Sequence, residues 1–162
     1  MAYSLQPSLE VAVRFLLVDR IVECVPGQHI VGVKNVAMSE DVLEFHFPGN
    51  PVMPGMLLTE ALVQLAGWLE AAGSDFHHWF LLDTLHRSGF YGFALPGDRV
   101  DLRVEVRGEA GHRRVYRGAC TVDGRKKVET EFEGVLTPLD KLEDPEVQRR
   151  FYERLVRQEV RA

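Results

Sequence analysis

"PGMLLTEALVQLAGWLEAA", residues 54–72, carries apolar side chains nearly all round: Met56, Leu57, Leu58, Ala61, Leu62, Leu65, Ala66, Trp68 and Leu69. A helix without a polar stripe has no face to turn to water, so the segment from Gly55 to about Ala72 reads as a helix enclosed by the rest of the chain. Pro54 stands at its start, and Gly73 behind it fits a C-terminal cap. Glu60 breaks the apolar pattern, with Gln64 one turn further along the same face. A carboxylate placed there gives up much of its hydration. It must find a partner, keep its proton, or reach solvent at a helix or subunit seam.

Strands with one apolar side surround this helix. "QHIVGVKNVAM", residues 28–38, is rich in β-branched residues, follows Pro26-Gly27 and reads as a strand. "EVAVRFLLVDRIVEC", residues 10–24, mixes periodicities and reads as a short helix or turn leading into a strand. After a less regular stretch from Ser74 to Leu95, three strands follow closely. "DRVDLRVEVR" alternates Val100, Leu102, Val104 and Val106 with charged neighbours, and "RRVYRGACTV" comes next. Asp123-Gly124 then marks a hairpin turn before "KKVETEFEGVL", where Val128, Thr130 and Phe132 face one way and Lys127, Glu129 and Glu131 the other. Half-exposed antiparallel strands around one enclosed helix give an α+β arrangement, a curved antiparallel sheet wrapped around a long buried central helix. Residues 140–162 read as a charged helical extension of the domain at 1–139. Asp144-Pro145 starts it, and Val147, Phe151 and Leu155 form a stripe for docking on the domain or on a partner.

The chain has 162 residues, 46% hydrophobic and 27% charged, which fits one globular domain with a real core. A net charge of -5 argues against nucleic-acid binding, which needs a basic excess to neutralise phosphates. Arg113, Arg114, Arg117, Arg125, Lys126 and Lys127 read as a solvated strand face and turn. Cys24 and Cys120 have neither metal nor disulfide spacing and read as small buried apolar residues in a reducing compartment. His29, His77, His78, His86 and His112 show no metal-ligand spacing. With no signal-peptide pattern and no apolar run long enough to span a bilayer, the expected location is the cytoplasm.

The chemistry concentrates just before and inside the enclosed helix. His46, between Phe45 and Phe47, reads on its own as a satisfied core residue. Pro54-Gly55 on its own is ordinary punctuation, yet a glycine at a helix start lets a carbonyl oxygen approach unpaired N–H groups at the positive end of the helix dipole. Glu60, held among apolar neighbours, suits a general acid. Together they supply a base, an oxyanion site and an acid within fifteen residues. That set suits removal of a proton next to a carbonyl, with departure of a group one carbon further along.

The same residues resemble a known family. "HFPGNPVMPGMLLTEALVQLAG", His46 to Gly67, is similar to the signature of the β-hydroxyacyl-acyl carrier protein dehydratases of the FabZ type. The shared features are His-Phe-Pro, the Pro-x-Met-Pro-Gly helix start, and the helix Glu followed by Ala and then Gln. "FLLVDRIVE", "VKNVAM", "LPGDRVDLRVEV" and "TVDG" extend the likeness in family order over about Phe15 to Leu136. The resemblance implies a hotdog fold and dehydration of (3R)-3-hydroxyacyl thioesters to trans-2-enoyl thioesters, in fatty acid or related lipid or polyketide synthesis. It implies His46 as general base and Glu60 as general acid. The Gly55 N–H, just after Pro54, would hold the thioester carbonyl; Gln64 would orient the acid or a water, with Phe47 beside the substrate. It implies no metal and no organic cofactor, an acyl carrier protein or CoA thioester as substrate, and homodimers, some assembling into trimers of dimers. His46 of one protomer would work with Glu60 of the other, and Glu60 would then be buried against a partner subunit.

Some positions depart from the family pattern. Phe45 replaces a glycine, "SLEVAVRF" replaces a histidine-containing lead, and "SGFYGFALPGD" lacks the basic run found near the substrate entrance of family members. Phe90, Tyr91 and Phe93 read equally as tunnel lining and as core. The competing functions are a non-catalytic hotdog protein that binds acyl thioesters, an acyl-thioesterase or enoyl-CoA hydratase, and an isomerising FabA-type dehydratase, which usually has Asp where this chain has Glu60.

Overall fold

The computed structural model describes residues 15–156, so residues 10–14 of the expected lead segment lie outside the described residues. The elements run β1 (Arg20–Val25), β2 (His29–Asn35), α1 (Val42–Phe45), α2 (Gly55–Gly73), β3 (His78–Phe90), β4 (Arg99–Ala110), β5 (Arg113–Val122), β6 (Arg125–Pro138) and α3 (Pro145–Leu155). The six strands form one antiparallel sheet in the order β1-β2-β4-β5-β6-β3. Helix α2 packs on the apolar face of this sheet, as its composition requires. Leu58, Ala61, Leu62, Leu65, Ala66 and Leu69 are each at most 1% exposed. They meet the inward residues of the strands, among them Ile30, Leu102, Val104, Cys120, Val128 and Phe132. The alternation read in β4 and β6 is the alternation seen: Val128, Thr130 and Phe132 are buried while Glu129 and Glu131 are not. Asp123 and Gly124 both take positive φ, 49° and 72°, as a tight hairpin between β5 and β6 demands.

The buried polar side chains Tyr116 and Lys34 are paired. Tyr116, fully enclosed, donates its hydroxyl to Glu70 Oε1 at 2.5 Å, and burial together with that carboxylate pushes its pKa far up. Lys34, 5% exposed, donates to Glu40 Oε1 at 2.8 Å and lies 3.6 Å from Asp19 Oδ2. Glu40 also accepts from the Ala37 N–H, so this buried cation fixes the turn that leads into α1.

Three expectations change. Ser74 to Leu95 is not irregular: it contains the 13-residue strand β3. Beyond Phe80 its side chains are almost all uncovered, and two register shifts against β6 break its period, so no alternation could appear in the sequence. Gly73 belongs to the helix rather than capping it, and the chain reverses at Asp75 and Phe76, with φ of 52° and 62°. Cys24 is only half-buried, whereas Cys120 is fully enclosed and its thiol pKa is pushed up to about 12 by burial. Val42–Phe45 forms the short helix α1, for which the sequence carries no periodic signal.

The C-terminal helix docks on the domain. Asp144 caps it, accepting from the Glu146 N–H at 2.9 Å, and Leu155 is buried. Phe151 and Tyr152 lie 5.6 and 6.0 Å from Trp68 of α2.

The β3–β6 pairing depends on a close approach at Gly134. A Cβ there would sit 1.9 Å from the Leu81 carbonyl oxygen, a backbone atom that cannot swing aside. Gly134→Ala is expected to lower unfolding stability by about 3 kcal/mol. That is a drop in thermal midpoint of roughly 6–12 °C for a chain of this size, read by a melting curve; an unchanged midpoint would mean the strands separate at no cost.

Candidate active site

Prolines shape the segment between α1 and α2. Pro48, Pro51 and Pro54 supply no N–H donors and fix their own φ, which keeps this stretch out of helix and sheet. What order it has comes from a few backbone bonds. Phe47 and Asn50 exchange N–H donations at 3.1 and 2.9 Å, and the Val52 N–H returns to the His46 carbonyl at 2.8 Å. The Met53 N–H reaches the Ala94 carbonyl at 2.9 Å, tying the loop to the chain beyond β3. Val52, Met53 and Ala94 are buried, so this anchor is apolar as well as hydrogen-bonded.

His46 ends α1, its own N–H bonded to the Val42 carbonyl at 3.1 Å. The ring is half-buried and stacks on Phe47 at 4.1 Å. Nδ1 lies 2.9 Å from the Val52 carbonyl oxygen. A carbonyl only accepts, so in the neutral ring Nδ1 carries the proton and Nε2 presents a lone pair, the tautomer that a general base requires.

Pro54 has extended backbone, φ -56° and ψ 129°, and its carbonyl accepts from the N–H groups of Leu57 and Leu58 at 3.0 and 3.3 Å. The N–H groups of Gly55 and Met56 come before any carbonyl of the helix and are its unpaired donors. Gly55 lies under the ring of Phe90: a Cβ on it would fall 2.5 Å from Phe90 Cδ1. The glycine is therefore needed for an aromatic cover as well as for access to its N–H.

Glu60 is half-buried in the single chain and has found a partner, for Gln64 Nε2 donates to its Oε1 at 3.0 Å. Gln64 Nε2 also donates to the Phe15 carbonyl at 2.9 Å, while its Oε1 accepts from the Leu17 N–H at 3.0 Å. An acceptor on one side and a donor pair on the other fix the amide's orientation, so Gln64 locks Glu60 and the lead segment together. Among the described residues, no hydrogen bond joins His46 to Glu60.

The site carries a rim of uncovered apolar side chains. Phe45, Phe47, Met56, Phe90, Tyr91 and Phe93 are between 52% and 76% exposed, so the aromatic cluster after β3 is not core in the single chain. Leu81, Leu82 and Leu85 continue the apolar surface along the free edge of β3. The structure places His46 at the end of α1 and Gly55, Glu60 and Gln64 on α2; the Val52 carbonyl beside His46 and the Phe90 ring over Gly55 were not read from the sequence. Among the described residues, no cluster of three or more His, Cys, Asp or Glu is placed to hold a metal ion, and no helix is long and apolar enough to cross a membrane.

The FabA-like domain matches residues 11–132. The chain is 41% identical over 130 residues to the 3-hydroxyacyl-[acyl-carrier-protein] dehydratase FabZ of Myxococcus xanthus, covering 78% of this chain and 84% of that protein. It is 38% identical to the enzyme of the same name from Clostridium acetobutylicum, over 72% of this chain and 83% of that one. Among solved structures, a hypothetical thioesterase with coenzyme A from Streptococcus pneumoniae shares the fold, with a TM-score of 0.59 at 16% identity over 74% of this chain and 85% of that one. So does the dehydratase heterocomplex ApeI:P from Xenorhabdus doucetiae, at 0.55 and 18% over 70% and 92%.

Proposed function

This chain belongs to the FabA-like family, and from that premise we propose that it dehydrates (3R)-3-hydroxyacyl thioesters, carried on an acyl carrier protein in the cytoplasm, to trans-2-enoyl thioesters. The observation that carries the reading is the hydrogen bond from His46 Nδ1 to the Val52 carbonyl, which leaves Nε2 free as a base. The thioester carbonyl sits at the Gly55 N–H, where the helix dipole stabilises the negative charge that develops on its oxygen. His46 Nε2 takes a proton from C2, and the C2 electron pair forms the C2–C3 double bond. The C3–O bond breaks, and Glu60 gives its proton to the departing hydroxyl, which leaves as water. Loss of the His46 proton and regain of the Glu60 proton through solvent restore the site. Each of the two groups contributes about 10²–10⁴-fold in rate.

The base and the acid come from different protomers. Three observations support a homodimer built on β3. This strand has a free edge 13 residues long, Leu81, Leu82 and Leu85 are exposed on it, and the apolar rim of the site continues it. Long apolar edges are otherwise protected in proteins, so a second copy of β3 is the natural cover. Glu60, half-buried in one chain, becomes enclosed once that copy docks.

A product assay tests the activity. With 3-hydroxyacyl thioesters on carrier protein and on CoA, mass spectrometry is expected to show loss of one water and formation of the enoyl thioester. Release of free acid instead would identify a thioesterase, and no conversion of any substrate would overturn the reading.

A further inference from the structure

We propose that a cavity on the outer face of the sheet, beside the rim of the candidate active site, holds the phosphate end of the pantetheine arm that carries the substrate. The inference rests on the dehydratase reading, which sets the thioester carbonyl at Gly55. The cavity measures about 320 Å³, and its lining includes Arg87, Arg107, Arg117, Tyr91, Glu129 and Glu131.

Strand register brings these charges together. Arg87 of β3 and Arg117 of β5 both stand opposite Glu131 of β6, and Arg107 comes from β4, the neighbour of β5. Glu129 is already taken. It accepts from Lys126 Nζ at 2.7 Å and from Arg117 Nε at 3.0 Å, and these two cations hold its carboxyl below the usual range. Arg107 meets a carboxylate only at 4.0 Å, that of Glu105, and Arg87 forms no ion pair among the described residues. With Lys126, four cations stand against two carboxylates, and two of the guanidiniums keep unspent donors. Paired N–H donors on a fixed positive charge are what a phosphate group takes from arginine.

The cavity opens close to the reacting end. β3 ends at Phe90, whose ring covers Gly55 on the inner side. Tyr91 folds the other way: a Cβ on Gly89 would lie 2.6 Å from Tyr91 Oη, so the phenol lies over the strand backbone as a wall of the cavity. Lys126 Nζ lies 5.5 Å from the centroid of that ring, and the Tyr91 N–H bonds to the Lys127 carbonyl at 2.8 Å, so the rim and the β5–β6 hairpin hold together. Gly92 follows with no side chain, and a Cβ there would lie 3.6 Å from Lys127 Nζ. The result is a notch around the end of β3 with a cation at its edge. A pantetheine arm has about fourteen bonds from thioester carbon to phosphorus and reaches roughly 17 Å at about 1.25 Å per bond. From Gly55 the way crosses one phenyl ring and one residue to Tyr91, roughly 10–15 Å, which the arm spans.

The test places one 3-hydroxyacyl group on three carriers: acyl carrier protein, coenzyme A, and N-acetylcysteamine, which has the thiol end of the arm and no phosphate. kcat and KM are measured for wild type, Arg87→Gln, Arg87→Lys, the double variant Arg87→Gln with Arg107→Gln, and Arg125→Gln, which removes a charge outside the cavity. The double variant is expected to raise KM by about tenfold or more on both phosphate-bearing carriers with kcat within about twofold, because the phosphate is held equally in ground and transition states. On N-acetylcysteamine it should match wild type. Arg87→Lys should lose less than Arg87→Gln, since it keeps the charge without the paired donors. An equal loss on all three carriers would show a structural role only, and a loss on carrier protein alone would show contact with that protein's surface rather than with phosphate. Either result overturns the proposal, as would an unchanged KM or an Arg125→Gln effect as large as that of the double variant. No enoyl product from wild type on any carrier would instead strike the dehydratase reading. Calorimetric titration of coenzyme A then tests the site by itself: its Kd should rise about tenfold in the double variant, and an affinity that is absent or equal in both proteins would overturn the proposal.

Discussion

His46→Ala is expected to lower kcat/KM for dehydration by about 10²–10⁴-fold, the range for loss of one general base. Both kcat and kcat/KM should fall, because in the proposed mechanism the imidazole acts on the C2 proton in the transition state rather than in binding. Stability should change little. The ring is half-buried, and its hydrogen bond to the Val52 carbonyl lies next to a loop already held by the Val52–His46 and Met53–Ala94 backbone bonds. His46→Asn makes the comparison sharper, since its amide still offers a donor to Val52 but no base. Equal losses in both variants, with thermal midpoints close to wild type, would assign the effect to proton transfer. If His46→Ala kept activity within about threefold of wild type, another group would be the base and the mechanism would have to be redrawn.

How much of this was legible in the sequence follows from where each contact is encoded. Helix α2 was readable because its all-round apolar pattern is a local property, and its enclosure by the sheet follows from that pattern alone. β4 and β6 were readable for the same reason, one face being covered within the chain. β3 was not, because among the described residues neither its outer edge nor most of its side chains is covered, so its leucines follow no period. At the site, Glu60 and Gln64 stand one helical turn apart, a spacing that put them on one face in the sequence, and a hydrogen bond joins them. The partners of His46 and Gly55 were hidden for different reasons. Val52 serves through its backbone carbonyl, which any residue type would supply. Phe90 and Gly55 are far apart in sequence, and only the folded sheet brings them together.

Mixing two inactive variants should restore activity. His46→Ala keeps its acid and Glu60→Gln keeps its base, and each homodimer lacks one group at both sites. Glu60→Gln suits this use because an amide is close to the carboxylate in shape, so the side chain can remain beside Gln64. When the two proteins are unfolded and refolded together in equal amounts, random pairing makes about half of the dimers mixed. A mixed dimer whose sites draw His46 from one chain and Glu60 from the other has one site with both groups and one with neither. About a quarter of wild-type activity is therefore expected, a rise of roughly 25-fold or more over either variant alone if each has lost at least 10²-fold. If both groups instead came from one chain, every site in the mixture would lack one of them, and activity would stay at the background of the separate variants. That outcome would move the catalytic pair into a single protomer. The half-exposed Glu60 and the apolar rim would then need another account, whereas recovery would explain why an acid is left half-covered and a leucine-rich strand edge exposed.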